Sequence, residues 1–459
     1  MAGREPVAPG AEEERDRARQ VRRVAVSGLL GTVIEYYDFL LYSTMAALVF
    51  GTLYFPASNP AASTIAAFGT LAAGYVARPL GGLLFGHFGD RLGRKSALVT
   101  SMVLMGVASV LIGVLPTYAT FGLAAPIMLV LLRVVQGIAV GGEYGGAALM
   151  VIEHADPRRR GAWVGIMQMG SPLGSLMSNG AVALVTLLPK DQFLAWGWRI
   201  PFLASAALLV LGLYVRLSVV ESPLFREAVA AGKVRAREPV PLVRVLKKPR
   251  AVLLACAAGI GPFALTALIG SHSVAYASGL GYELPDIMRA HLLISLTGLV
   301  GIPLFSALSD RVGRRRVLLA GAIGAVAFAF PMYALVGTGS VAAMTAALVI
   351  AQVFQNLMYA PLAPMLSEMF GTRVRYTGVS LGYQVASLLG AGFTPMAAAA
   401  LVAATGGSSL PLSWIIVVAV GISTTAVLLI AETRGRDLRD EPAEQGGEQW
   451  DATSGPKSR

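Results

Sequence analysis

Two acids and two arginines stand where a sequence rarely keeps charge. Glu35 and Asp38 lie inside the apolar run 24–50, Arg78 inside 61–86 and Arg133 inside 122–150. An ionisable side chain within an apolar run of membrane-crossing length is expensive to keep, which makes each of the four a functional candidate. Glu35 and Asp38 are three residues apart and share a helix face, which Tyr42 extends by a turn. Arg133 and Gln136 share a face of their own run. At 1.5 Å per residue, Asp38 falls about 20 Å, and Arg133 about 15 Å, from the start of its run. Both are then near the middle of a hydrocarbon core about 30 Å thick. The chemistry available is that of a carboxyl that takes up and releases a proton, and of an arginine fork that grips a carboxylate with two hydrogen bonds. Arg78, about 12 Å inside the end of its run, precedes Pro79 and suits either substrate contact or pairing with an acid.

The elements that must position these residues are long apolar segments. Of 459 residues, 55% are hydrophobic and 14% charged, against about 25% charged in an ordinary soluble protein. Mean hydropathy is +0.65. Runs long enough to cross a bilayer as helices fall at 24–50, 61–86, 97–115, 122–150, 161–187, 199–220, 251–277, 290–309, 317–337, 341–369, 377–403 and 411–432. With residues 1–23 placed in the cytoplasm and sides alternating, the great majority of the 37 basic residues fall on the inner side. That is a positive-inside pattern. It also explains a net charge of +11 without nucleic acid, because basic loops face the anionic inner leaflet. The single cysteine, Cys256, and four scattered histidines offer neither a disulfide nor a metal cluster. Nothing resembles a nucleotide-binding loop, so no cofactor is expected and the energy source would be an ion gradient.

The chain is expected to be an all-α membrane protein with twelve transmembrane helices in two six-helix bundles. These occupy 24–220 and 251–432. They are joined by a cytoplasmic linker, 221–250, and flanked by a disordered cytoplasmic segment, 1–23, and a cytoplasmic tail, 433–459. The halves carry an internal repeat. GHFGDRLGRK (Gly86 to Lys95) follows the second run and SALSDRVGRRR (Ser306 to Arg316) the eighth, with Asp90 and Asp310 offset by 220 residues. Duplicated halves place a transporter's site between them near mid-membrane. Gly93 and Gly313 supply the freedom that a tight turn needs. Asp90 suits the positive end of a neighbouring helix or a basic partner. Gly137, Gly141 and Gly145 repeat every fourth residue, the pattern of close helix packing.

The repeated D-R-x-G-R-[KR] loop resembles the signature of the major facilitator superfamily. The segments VIEYYDFLLY, ARPLGG, RVVQGIAVGGEYGG, WGWRIPF, EMFGTRVRYTG, GYQVAS and GFTP are together similar to the metabolite:proton symporter family, and closest in appearance to its shikimate-type branch. Glu35 stands where that branch often has Asp, and Tyr36 where it has Trp. The resemblance implies the major facilitator fold and a transporter rather than an enzyme. It also implies residence in the inner membrane, with both termini cytoplasmic and the protein acting as a monomer. It implies that runs 1 and 4 line a central cavity, so that Asp38 can pair with Arg133 and release it on protonation to hold a small organic acid. A static buried pair is the other reading of Asp38 and Arg133, and for Glu35 coupling and packing roles stand level.

The same resemblance assigns gating to Gly86, Gly89, Asp90, Arg91, Gly93, Arg94 and Lys95, and in the repeat to Asp310, Arg311, Gly313, Arg314 and Arg315. Glu143 would pair with the signature loop, with Glu368 and Arg375 working alongside. Positions 220 residues beyond Asp38 and Arg133 carry no charge. The second half would therefore supply neutral contacts such as Tyr359, Tyr383 and Gln384. Two other transport readings stay open. Proline/betaine members of the family typically bear a C-terminal coiled coil, and 433–459 shows no heptad pattern. Export by proton antiport is favoured only by Gly165, Gly170, Pro172 and Gly174, a loose match to an antiporter motif.

Overall fold

A computed structural model describes residues 9–56, 60–218, 249–371 and 375–436. Among the described residues every regular element is helical. The spans are α1 (Pro9–Met45), α2 (Pro60–Leu92), α3 (Arg94–Val114), α4 (Ala124–His154) and α5 (Arg160–Gln168, continued by Gly170–Val185), followed by α6 (Arg199–Leu217). The second set is α7 (Pro249–Ala267, continued by Ser273–Gly279), α8 (Leu284–Val312), α9 (Arg314–Val336), α10 (Val341–Tyr359, continued by Leu362–Met369), α11 (Arg375–Ser387, continued by Thr394–Ala404) and α12 (Leu410–Leu429). Ten segments among the described residues are long and apolar enough to cross a membrane unaided. The other two spans are α2, which carries Arg78 and His87, and the interrupted α5. Many large apolar side chains stay exposed along the spans, among them Val210, Leu211, Val300 and Ile323, whereas Asp38, Arg133 and Glu143 are buried. That is the inside-out arrangement of a protein solvated by lipid.

The repeat is visible in the backbone. Gly93 (φ 104°, ψ 151°) and Gly313 (φ 112°, ψ 148°) adopt one conformation, closed to residues with a Cβ. Each terminates one span and opens the next, as the sequence predicts. A single π turn interrupts both α1, at Ala46–Phe50, and α7, at Leu268–His272. The first six spans pack mainly on one another, as do the last six. The sets meet where α8 crosses α5 and where α11 lies against α2 and α4.

One boundary differs from expectation. Residues 9–23 are helical rather than disordered and run without a break into α1. Ala, Glu, Arg and Gln are strong helix formers, and a helix already running through Val24 extends without a new nucleus. Most of the expected linker (219–248), the end of the tail (437–459) and residues 1–8 lie outside the described residues.

The small-residue pattern of α4 has a concrete cause. A Cβ on Gly137 would meet the carbonyl of Gly74, and one on Gly141 the carbonyl of Arg78, so α2 and α4 touch backbone to backbone. Gly145 and Gly146 admit Ser380 and the Tyr376 ring from α11. Gly141→Val should therefore force α2 and α4 apart, at a cost of about 1–3 kcal/mol. A detergent-solubilised melting curve that matches wild type would show the contact to be looser than drawn.

Candidate functional site

Asp38 of α1 points into the first bundle. Ser205 of α6 donates to Asp38 Oδ1 at 2.6 Å, and Asp38 Oδ2 is buried without a hydrogen-bond partner. Ser109 Oγ of α3 accepts from Gln136 Nε2 at 2.8 Å, and Gln136 Oε1 accepts from Arg133 Nη1 at 3.2 Å. All five side chains are buried. The direct Asp38–Arg133 pair expected from sequence is not made: Asp38 takes Ser205, and Arg133 takes Gln136, which in turn takes Ser109. The reason is that aromatic rings hold the guanidinium aside. Arg133 lies 4.2 Å from the ring of Tyr42 and 4.7 Å from that of Phe39. Tyr42 contributes its ring to Arg133 and spends its hydroxyl on Thr70, at 2.7 Å.

Arg78 comes to the same aromatic group, 4.5 Å from Phe39 and 4.6 Å from Tyr75. Two guanidiniums thus share one ring. Arg133 Nε and Nη2 are buried without a hydrogen-bond partner, as is Glu35 Oε2. Buried donors are nearly always satisfied, so unspent ones call for an explanation. The charges that reach Glu35 are Arg78, Glu143 and Arg216. Arg78, Phe39 and Arg133 therefore form an anion-seeking group with two free donors, and Glu35 and Asp38 are two carboxyls within its field.

Below this group the halves are joined. Tyr383 stacks on Tyr144 of α4 with ring centres 3.7 Å apart, and its hydroxyl lies 2.8 Å from that of Tyr359. Gln168 of α5 donates to Tyr144 at 2.6 Å. Gln384 Nε2 donates to the Val140 and Gly141 carbonyls at 3.4 and 3.3 Å. Tyr359, Tyr383 and Gln384 thus close the second half against α4 in this conformation.

The end that carries the signature loops is sealed by two ion clusters. Glu153 of α4 accepts from Arg94 at 3.3 Å and from Arg375 of α11 at 3.2 Å. Glu368 of α10 pairs with Arg314 at 3.3 Å and with Arg160 of α5 at 3.7 Å. Each cluster contains residues of both halves, and the repeat exchanges them: Arg94 corresponds to Arg314, Glu153 to Glu368 and Arg375 to Arg160. Asp310 accepts from the backbone N–H of Gly161 and Ala162, at 2.9 and 2.8 Å, and from Arg314 at 2.6 Å. Asp310 thus takes the helix N-terminus and the basic partner that the sequence predicts for its counterpart Asp90.

The remaining signature-loop residues divide as follows. The Asp90 and Arg91 side chains lie outside the described residues. Gly86 and Gly89 admit Thr377 and the Tyr376 ring of α11. Lys95 donates to the Leu217 carbonyl at the end of α6 at 2.7 Å. Glu432 receives the backbone N–H of Arg314 and Arg315, at 3.0 and 3.2 Å. Arg311 is exposed. Glu143 departs from expectation. It pairs with Arg216 of α6 at 2.8 Å, inside the first bundle and against Gly31, rather than with the signature loop. Arg94 takes Glu153 instead, because that acid lies nearly three turns further along α4, at the level of the loop.

The sequence matches the Major Facilitator Superfamily over residues 28–381 and 290–457. The chain belongs to this superfamily. The inner membrane metabolite transport protein YhjE of Escherichia coli (strain K12) is 38% identical over 434 residues, covering 93% of this chain and 98% of that protein. The shikimate transporter of the same organism is 40% identical over 389 residues, covering 83% and 88%. The proline/betaine transporter of Salmonella typhimurium is 33% identical over 439 residues, covering 92% and 85%. The structure of the proton:xylose symporter XylE superposes with a TM-score of 0.74 at 17% identity, covering 92% of this chain and 98% of that one. As a major facilitator protein the chain is a multi-pass membrane transporter of metabolites, not an enzyme. The likeness to shikimate-type transporters read from its motifs holds across most of its length.

Several working residues escape a sequence reading. Ser109 and Ser205 are single hydroxyls in apolar runs and carry no flag. Glu153 and Arg160 carried a usable one. They are seven apart, as are Glu368 and Arg375, so an E-x6-R spacing recurs at equivalent places in the two halves.

Proposed function

We propose that this major facilitator protein is a proton-coupled symporter that imports a small hydroxylated organic acid of the shikimate type by alternating access. It would do so across a bacterial inner membrane, as a monomer, with both termini and the signature loops in the cytoplasm. The observation that carries the reading is the pair of guanidiniums at Phe39. Arg133 has two buried nitrogens without partners, Nε and Nη2, and these are the donors that a bidentate carboxylate would take. Asp38, buried in the same bundle with one carboxylate oxygen unpartnered and within the electrostatic reach of the same arginine, is the acid placed to sense whether that site is engaged. The conformation described is closed at the signature-loop end, so the substrate would next enter from the opposite side. Gly170 and Gly174 of α5 lie against the backbone of α1, and Gly165 lies against α8. Helix packing therefore accounts for the glycines that raised an antiport reading.

Purified protein in proteoliposomes tests this directly. With the interior alkaline, shikimate, 2-oxoglutarate, citrate, protocatechuate, proline and betaine are offered in turn. Shikimate or a close hydroxy acid should accumulate; a preference for betaine would move the reading to zwitterionic osmolytes, and no stimulation for any compound would remove proton symport. In the same assay Arg133→Gln should weaken the apparent affinity about a hundredfold, the loss of two charge-assisted hydrogen bonds of roughly 1.5 kcal/mol each.

A further inference from the structure

A group of neutral amides lies in the second half, on the far side of the tyrosine stack from the signature loops. Gln352 Nε2 of α10 gives to Gln355 Oε1 at 2.9 Å and to Asn356 Oδ1 at 2.8 Å. Gln355 Nε2 gives to Thr266 Oγ1 of α7 at 2.8 Å, and Asn356 Nδ2 to the Thr297 carbonyl of α8 at 3.2 Å. Thr266 spends its own proton on the Pro262 carbonyl, at 2.9 Å. An amide nitrogen has two protons to give, and an amide oxygen has two lone pairs. Both Gln352 protons are therefore spent, whereas Gln355 and Asn356 each keep one. Gln352 Oε1 has no hydrogen-bond partner among the described residues. An acceptor and two N–H groups are thus left over within one hydrogen-bonded group.

The group faces the space between the halves. Gln352, Gln355, Asn356 and Tyr359 are three or four residues apart and share one side of α10. On that side Tyr359 meets Tyr383, which stacks on Tyr144 of the first half. Exposure rises with distance from the stack. Tyr359 and Gln355 are buried and Gln352 is half-buried; on α7, Phe263 is buried and Thr266 is exposed. A Cβ on Gly298 of α8 would lie 3.6 Å from Pro172 of α5 and 3.9 Å from Gln352 Nε2, so the first half is close by. At 1.5 Å per residue, Gln352 stands about 10 Å along its helix from Tyr359, and Arg133 about 16 Å from Tyr144, both away from the signature loops. Tyr383 joins the two tyrosines, so Gln352 and Arg133 differ in depth by about 6 Å. A small ring acid spans that distance from its carboxylate to its far hydroxyl.

We propose that Gln352, Gln355 and Asn356 form the subsite for the hydroxyl groups of the substrate, a ring acid with adjacent hydroxyls whose carboxylate is held by Arg133 in the other half. A hydroxyl both gives and accepts. It gives its proton to Gln352 Oε1, and the spare N–H of Gln355 or Asn356 meets a lone pair of the same oxygen or its neighbour. An ionised carboxylate has no proton for Gln352 Oε1, so this end of the site selects hydroxyls over a second acid group. A quaternary ammonium has neither O–H nor N–H and leaves the acceptor unpaired. Neutrality also fixes orientation, because a cation on α10 would compete with Arg133 for the carboxylate. Tyr383 and Gln384, the neutral contacts expected from sequence, are spent on α4, which leaves the amides to face the opening.

The subsite rests on the organic-acid reading, and its test separates the two. Binding to the purified protein is measured by calorimetry for shikimate and for the cyclohexenecarboxylate that has the same ring and acid but no hydroxyls. Wild type should bind shikimate about tenfold or more tightly than the bare acid. Gln352→Leu should weaken shikimate about tenfold and leave the bare acid within about twofold, so that the preference collapses. Gln352→Asn, which withdraws the same carbonyl by one methylene, should act in the same direction and decides the matter if leucine disturbs folding. Arg133→Gln should instead weaken both acids alike, because both carry the carboxylate. Equal losses for the two acids in the Gln352 variants, or no loss, would overturn the subsite and leave the organic-acid reading in place. So would a wild type that binds the two acids equally well. Betaine bound in place of either acid would remove the organic-acid reading and the subsite with it. Uptake that ignores the pH gradient, in a protein whose preference Gln352→Leu abolishes, would remove proton symport and leave the subsite standing.

Discussion

Replacing Glu153 with glutamine is expected to unlatch the signature-loop end of the protein. Arg94 and Arg375 both give to Glu153 Oε1, at 3.3 and 3.2 Å, and all three side chains are buried. Glutamine keeps the shape and removes the charge that two guanidiniums share. Breaking a buried ion pair from one side costs roughly 3–5 kcal/mol. That cost falls on the closed form, because opening exposes the same arginines to water. At about 1.4 kcal/mol per factor of ten, the equilibrium should move towards opening by about a hundredfold or more. The native Cys256 is buried and can be replaced by serine to give a silent background. A cysteine at Ser380, buried where α11 meets Gly82 and Gly145, should then react much faster with a membrane-impermeant maleimide in the Glu153→Gln protein. Equal reactivity would mean that the cluster does not hold the gate. Glu368→Gln should act in the same direction, since the repeat places Glu368 between Arg314 and Arg160.

The gate and the coupling centre differ in how far a sequence discloses them. The gate is duplicated, so it leaves a pattern. Two D-R-x-G-R-[KR] loops, two positive-φ glycines and two E-x6-R spacings recur at nearly one offset, and a pattern that recurs is legible. Even so, Glu143 and Glu153 look alike in sequence, and only the depth of each along α4 decides which one meets the loop. The coupling centre occurs once. Its charged groups, Asp38 and Arg133, stand out against an apolar background, because membranes make charge conspicuous. The neutral residues that hold them do not. A serine in a membrane helix usually bonds its own backbone, and nothing in the sequence marks Ser109 as an exception. Side-chain direction was the missing quantity. Helical spacing puts Glu35, Asp38 and Tyr42 on one broad face, yet that face is wide enough for Glu35 to lie in the field of Arg78 while Asp38 turns to α6. The helical start of residues 9–23 was hidden for another reason. Their composition is polar, which points to disorder, although the residue types favour helix.

The second large effect is expected at Asp38. Asparagine in its place keeps the size and the carbonyl that Ser205 can address, and it carries neither a charge nor a titratable proton. The position can then no longer take up or release a proton, whereas the anion group at Phe39, with Arg78 and the free donors of Arg133, is left intact. Binding and exchange of shikimate should therefore survive, and only the link to the gradient should go. One unit of pH is worth about 1.36 kcal/mol per proton, or roughly tenfold in concentration. Wild-type vesicles with an interior two units more alkaline should thus approach about hundredfold accumulation for a single coupled proton. Asp38→Asn vesicles should level off near equal concentrations inside and out. Glu35→Gln provides the contrast, because Glu35 lies in the field of Arg78 whereas Asp38 is held by Ser205. Full accumulation in Asp38→Asn together with loss in Glu35→Gln would transfer the coupling role to Glu35. Accumulation lost in both would mean that two protonatable sites act together, one facing each arginine.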